Sequence, residues 1–409
     1  MKKSVLRNYA KVIAKVGANV QKGQYVIVNA DVSQDLLASY VAEECYKLGA
    51  SKVVVEFSSN KVAKVHYKKA SVKNLSDIPE WRIEKEKYYN KILPVTIWLD
   101  SDDPDGLKGV NQAKLAAISK RVYPIMKPLR DERENKYQWN IVGVPAEAWA
   151  KKVFPHLSKK KAVEELWKAV LSVARCDGVD PIKAWDEHNK NLARYTDFMN
   201  SLDIDYLEYH STNGTNFRVW LSHEVNWCAG GEHTLGTNIY YNPNIPTEEC
   251  FTSPIKGKAE GIVYSTKPLS YQGQLIENFS IRFKDGKAIE VHAEKNEELL
   301  KHMISMDPGA AYLGEVALVP FDSPINKTGL LFYNTLFDEN AACHLALGMG
   351  FTNLVKDYDK YTNEELHQKG INDSSIHVDF MIGSKDLDIV AHLKDGKKVQ
   401  IFKEGNWAF

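Results

Sequence analysis

The sequence predicts two domains of different class: an α/β N-terminal domain with a mainly parallel sheet, and an α+β C-terminal domain with antiparallel strands. Three observations predict this. The chain has 409 residues, too many for one compact core and suited to two domains of about 200 residues each. Short β-branched runs alternate with helical patterns in the first half. After about residue 205 the pattern changes to short strands separated by Asn-Gly and Asp-Gly turns, so the domains are placed at 1–205 and 206–409.

The elements follow in order. Tyr25-Val26-Ile27-Val28 is a short buried strand, Asp31 or Ser33 caps the next helix, and Leu36, Leu37, Tyr40, Val41, Cys45 and Leu48 recur at helical spacing until Gly49 closes it. Lys52 to Phe57, Pro94 to Leu99 and Trp139 to Val144 repeat the strand pattern, as expected of a sheet buried on both faces. The turn after the first strand, Asn29-Ala30-Asp31-Val32-Ser33, contains neither GxGxxG nor GK[ST], so a dinucleotide or phosphate site is not indicated. Residues 145–201 read as helical, with Pro181 at a helix start. Beyond Tyr206, Thr212-Asn213-Gly214-Thr215, Asn242-Pro243-Asn244, Lys284-Asp285-Gly286-Lys287 and Lys394-Asp395-Gly396-Lys397 mark turns between antiparallel strands.

Composition narrows the function. Lys+Arg and Asp+Glu are both 53, which does not indicate nucleic acid as the main partner. No apolar run approaches the roughly 20 residues that span a bilayer, and the charged opening is not a signal peptide. The five cysteines are odd in number, scattered and without a CxxC pair, which suits reduced thiols in a cytoplasm. Cys250 and Cys343 are read as packing residues.

Several segments of the second half carry chemistry. In Ser374 to Ser384, Ile376, Val378, Phe380 and Ile382 alternate with His377, Asp379 and Met381, so His377 and Asp379 share one strand face and can reach one metal ion. Glu315 opens an apolar strand between Gly314 and Val316, where a buried carboxylate needs a partner. Asp338 to Gly348 reads as an N-capped helix ended by Gly348, with His344 in its middle. On that helix Glu339 and His344 converge only if Glu339 lies in an irregular first turn. Glu248 and Glu249 follow Pro246; adjacent acids point apart, and spacing alone does not say which one enters a cleft. Together, residues 249–379 offer four carboxylates and two imidazoles, a set that suits two divalent cations.

At this point the sequence resembles the metallo-aminopeptidases that include aminopeptidase T, aminopeptidase S and the PepS enzymes. The resemblance runs over essentially the whole chain and is anchored by 244–249 (NIPTEE), 314–319 (GEVALV), 339–348 and 376–384 (IHVDFMIGS). It implies Glu249, Glu315, Glu339, His344, His377 and Asp379 as metal ligands, with Glu315 bridging two zinc or cobalt ions, and it favours Glu249 over Glu248, which is then expected to face solvent or cap a turn. It also implies a metal-bearing C-terminal domain, a homodimer, and peptide substrates with a free N-terminus, attacked by an activated water. Glu249 or Glu339 would take and return the proton. Two alternatives stay beside it: a two-metal hydrolase of another amide or ester, and a metal-binding relative without turnover. One position departs from the pattern. Seven residues after His344 stands Phe351, where the family pattern has a Tyr able to stabilise an oxyanion, and Tyr358 or Tyr361 is the expected substitute.

Overall fold

A computed structural model describes residues 3–101 and 103–409. The contacts divide the chain into two compact units, 1–186 with 231–246, and 187–230 with 247–409. The second unit therefore begins before the break near 205 read from the sequence, and the segment 231–246 belongs to the first.

The first unit is built on a five-stranded sheet in the order Asn244–Ile245, Trp139–Gly143, Val95–Asp100, Tyr25–Asp31, Lys52–Ser58, parallel throughout. Its inner strands are apolar because helices cover such sheets on both faces; Val26, Ile27, Val28, Val95, Ile97, Leu99 and Val142 are all buried. The Asp31 carboxylate accepts from Ser33 N at 3.0 Å, which turns the chain from the first strand into the helix Asp35–Lys47. Pro181 does open a helix, Pro181–Ser201. Among the described residues no helix is long and apolar enough to cross a membrane.

The second unit contains two antiparallel sheets. One has nine strands, and its hairpins turn where Asx-Gly pairs occur. Asp285 and Gly286, both at positive φ (49° and 75°), join Gln274–Lys284 to Lys287–Lys295, as two-residue hairpins require. The other sheet has five strands in the order His377–Met381, His344–Gly348, Leu313–Leu318, Cys250–Thr252, Cys228–Ala229. Phe217, Phe279, Phe283 and Phe402 join Leu345, Leu347, Val316, Leu318, Val378 and Phe380 in one buried core.

The segment from Asp338 to Gly348 corrects the sequence reading. His344 does not sit in a helix; a short helix Thr335–Asp338 and one further turn end by Ala341, and His344–Gly348 is a strand. The reason is tertiary. Leu345 and Leu347 alternate with His344, Ala346 and Gly348, and the strand is hydrogen-bonded on both edges, to Leu313–Leu318 and His377–Met381. That ladder outweighs the helix propensity of the Ala- and Leu-rich run. Gly348, at φ 107°, closes a strand rather than a helix.

Candidate metal centre

The five-stranded sheet has two unlike faces, and its register shows how they arise. Glu315 pairs with Ala346 and Ala346 with Asp379; Ala317 pairs with His344 and His344 with Met381; Gly348 pairs with His377. Since alternate residues share a face, Glu315, His344, His377 and Asp379 lie on one side, separated by Ala317, Ala346 and Gly348. Leu345, Leu347, Val316, Val378 and Phe380 fall on the other, in the core. The small residues leave space between the polar ones. Glu249 reaches the same place from the residue just before Cys250–Thr252.

Two groups of three result, and they share a member. Ligand atoms of Glu249, Glu315 and His344 lie within 4.8 Å of one another, and so do those of Glu315, His377 and Asp379. His344 Nε2 is 3.3 Å from Glu249 Oε2, while His377 Nε2 is 3.1 Å from Glu315 Oε2 and 3.2 Å from Asp379 Oδ1. Glu339 stands outside both groups. Its half-buried carboxyl is close enough to feel Asp379, Glu249 and Glu315.

Neighbouring groups aim the imidazoles. His377 Nδ1 donates to the Met349 carbonyl at 2.7 Å, and His344 Nδ1 faces the Ala342 carbonyl at 3.3 Å, so each ring presents Nε2 to the carboxylates, the arrangement common in metal-binding histidines. Gly314 is needed for the first contact, because a Cβ there would overlap the Met349 carbonyl. Asn340, fully buried, ties the two acidic segments together. Its Oδ1 accepts from Glu248 N at 2.7 Å, and its Nδ2 donates to the Leu336 carbonyl at 3.0 Å and to Glu339 Oε1 at 3.4 Å.

The electrostatics of the cluster would suit a cation. Burial, with Asp379 and Glu249 adding to it, pushes the Glu315 carboxyl up to about 7 against the His377 hydrogen bond. Burial and the carboxylates of Asp379, Glu249 and Glu315 hold Glu339 well above the ordinary range. Burial lowers both histidines, but the acids outweigh it, taking His344 to about 9 and His377 well above the usual imidazole value. Burial likewise works against Asp379, yet His377 and His344 hold it below the usual carboxylate range. With protons as the only counter-charges the cluster must keep several of them, and the buried Asp379 Oδ1 has His377 Nε2 3.2 Å away. Carboxylate oxygens and imidazole Nε2 atoms in this mixture are donors that could hold a divalent ion.

Some residues depart from expectation. Glu248 neither faces solvent nor lies at an exposed turn; it is 6% exposed, with its carboxylate 3.9 Å from His188 Nε2. The two acids do point apart, but both point inward, because the chain enters the sheet between the helix carrying His188 and the segment carrying Asn340. The Phe351 ring packs on Phe251 and His377, with centroids 5.4 and 5.1 Å away. Tyr358 joins the small apolar cluster of Val225, Leu354 and Ile371, and the exposed Tyr361 ring is covered by the Lys369 ammonium. Sequence reasoning did not single out Asn340 or the Met349 carbonyl, since both act across separations of 92 and 28 residues. Nor did it find Tyr333, which is held at φ 55° next to the buried Asp338. That carboxylate accepts from Phe332 N at 2.7 Å and Asn334 N at 3.1 Å. Burial lifts it to about 7 against those hydrogen bonds.

The sequence family model described as thermophilic metalloprotease (M29) matches residues 2–407. The chain belongs to the M29 thermophilic metalloprotease family. Aminopeptidase AmpS of Bacillus subtilis (strain 168) is 40% identical over 99% of this chain and 98% of its own length. Aminopeptidase 2 of Geobacillus stearothermophilus is 40% identical with the same coverage. The solved structure of wild-type AmpT from Thermus thermophilus is 35% identical, matches over 100% of both chains, and superposes with a TM-score of 0.90. This M29 chain thus shares the fold of AmpT, with the paired acid and histidine groups on one sheet face.

Proposed function

We propose that the face bearing Glu315 holds two divalent ions, zinc or cobalt, and that through them the protein, a metallo-aminopeptidase, hydrolyses the N-terminal bond of peptides. The observation carrying the two-ion reading is that two three-residue groups share Glu315. Glu249, Glu315 and His344 would hold one ion and Glu315, His377 and Asp379 the other. Glu339 would complete the set of six. Membership of the family and the named relatives over the whole chain support the aminopeptidase activity.

Bound there, such a pair supplies a lowered pKa for water and polarisation of the scissile carbonyl. The chain's own residues do the rest. Met349 and Ala342 carbonyls keep each Nε2 turned to the centre, Asn340 keeps the Glu248–Glu249 and Glu339 segments in register, and Ala317 and Ala346 keep side chains out of the space between. Glu249 or Glu339 takes the proton from water and returns it to the leaving amine. The cationic α-amine of the substrate is drawn to the acid cluster, which restricts cutting to the first bond. All five cysteines are free thiols, which supports a reducing, cytoplasmic setting, and the working form is a homodimer, to be checked by light scattering.

The test of the activity is directional. Peptides with a free N-terminus are expected to shorten one residue at a time by mass spectrometry, while N-acetylated copies survive. Internal cleavage of the blocked peptides would favour a hydrolase of other amides instead.

A further inference from the structure

A cleft opens beside the acid cluster, with Glu339 and Asp379 in its wall. Its other sides include Pro268, Leu269, Met381 and Tyr333. We propose that this cleft receives the side chain of the substrate's N-terminal residue, and that Tyr333 sets how large that side chain can be. The inference rests on the aminopeptidase reading and adds to it the residue that selects the substrate.

Three features support the assignment. Position decides first: a cleft that shares Glu339 and Asp379 with the acid cluster takes a part of the peptide next to the reacting bond. Charge decides which one. Three of the lining residues, Asp338, Glu339 and Asp379, are acids, and among the described residues no Lys or Arg lines the cleft. The end of a peptide drawn there is the cationic α-amine, whose own residue then lies nearest the opening. Chemistry of the wall decides the third point. Pro268, Leu269 and Met381 offer apolar contact, and Tyr333 lines the same space.

Tyr333 is also built into place. A non-glycine residue at positive φ is uncommon and persists where its surroundings impose it. Here the imposition is visible, because the buried Asp338 carboxylate accepts from the backbone on either side of Tyr333, at Phe332 N and Asn334 N. The carboxylate fixes a turn whose central side chain borders the cleft.

Two substitutions test this in opposite directions. Tyr333→Asn removes the ring with a residue that tolerates left-handed backbone. Thr335→Trp adds bulk from an exposed position in the same wall, where folding is not at stake. With the metal-loaded enzyme and aminoacyl-nitroanilides of Ala, Leu and Phe, the kcat/KM ratio of Phe to Ala is expected to rise about tenfold in Tyr333→Asn and fall about tenfold in Thr335→Trp, within the range that one pocket contact supplies. Calorimetric affinities for free L-phenylalanine and L-alanine are expected to move in parallel, with metal content unchanged. If both variants keep their metal and hydrolyse with the wild-type ratio to within about twofold, the cleft is not the side-chain pocket and the aminopeptidase reading stands. If the wild-type holoenzyme releases no N-terminal residue from any of the three, that reading falls and this proposal with it.

Discussion

The two units solve the same problem, a buried sheet, with opposite chemistry. In the parallel sheet of the first unit the inner strands bury Val26, Ile27, Val28, Val95, Ile97 and Leu99, and burial itself stabilises them. In the five-stranded sheet of the second unit one face is equally apolar, but the other buries Glu315, His344 and Asp379 at 4%, 1% and 7% exposure. Removing acids from water is costly unless they are paired. The first sheet is complete as a sheet, whereas on the proposed reading cations would complete the second. Binding energy from ions would then become folding energy in one unit and not in the other.

The largest expected effect strikes the shared carboxylate. Glu315→Gln is expected to lose bound metal and to cut kcat by more than the roughly 100-fold that loss of an outer partner costs a metal site. Glu248→Gln, buried but directed towards His188, is expected to keep both metal and most activity. Metal analysis with steady-state kinetics decides it, and equal outcomes in the two variants would show that the acids are wrongly assigned.

Next comes the spacing between polar residues. Ala346 lies between Glu315 and Asp379 in the ladder, so Ala346→Leu should fill the space an ion needs. Added methylenes in a packed site cost typically about 1–3 kcal/mol, so metal affinity should fall about tenfold or more by titration calorimetry. Unchanged affinity would mean that the ions lie elsewhere.

The pH response sharpens the contrast further. In the chelated protein Glu315 titrates near 7 instead of 4.5 and His344 near 9 instead of 6.5. Both folded values lie above the unfolded ones, so the native state binds more protons and stability falls as pH rises. The Glu315 contribution is complete below 4.5 and lost through 7, and the His344 contribution is complete below 6.5 and lost through 9. Ions displace the same protons, so metal affinity should rise across that window. Hydrogen exchange on the chelated protein should show Leu313–Leu318, His344–Gly348 and His377–Met381 losing protection from pH 6 to 9, while Tyr25–Asp31 and Val95–Asp100 do not. A uniform loss in both units would break the comparison.

The smallest effect is expected at Phe351. Its ring already packs against His377 and Phe251, and Phe351→Tyr should leave metal content unchanged and raise kcat by less than about threefold, roughly 0.6 kcal/mol. A rise on the order of 10²-fold would show that the enzyme lacks an oxyanion donor that the substitution restores.

What was legible in the sequence follows the same division. The parallel strands show themselves as β-branched runs, and Asp285-Gly286 announces a hairpin, because local chemistry decides both. His377 and Asp379 are legible as one face because period-two alternation is local too. His344 is not: Asn340 to Gly348 is a good helix by composition, and only pairing with residues 27 to 37 positions away makes it β structure. The burial of Glu248 and the ties made by Asn340 and Gly314 are invisible for the same reason, since each depends on a partner brought in by the fold.

The central claim is that the Glu315 face holds two ions and that they carry the hydrolysis. The most direct measurement is to strip the protein with chelator, titrate Zn²⁺ or Co²⁺ back, and follow bound metal and release of an N-terminal residue together. The account predicts negligible activity in chelator, and activity regained in step with binding up to two ions per chain. Hydrolysis that persists unchanged in excess chelator, or full activity with no metal bound to this chain, would contradict it.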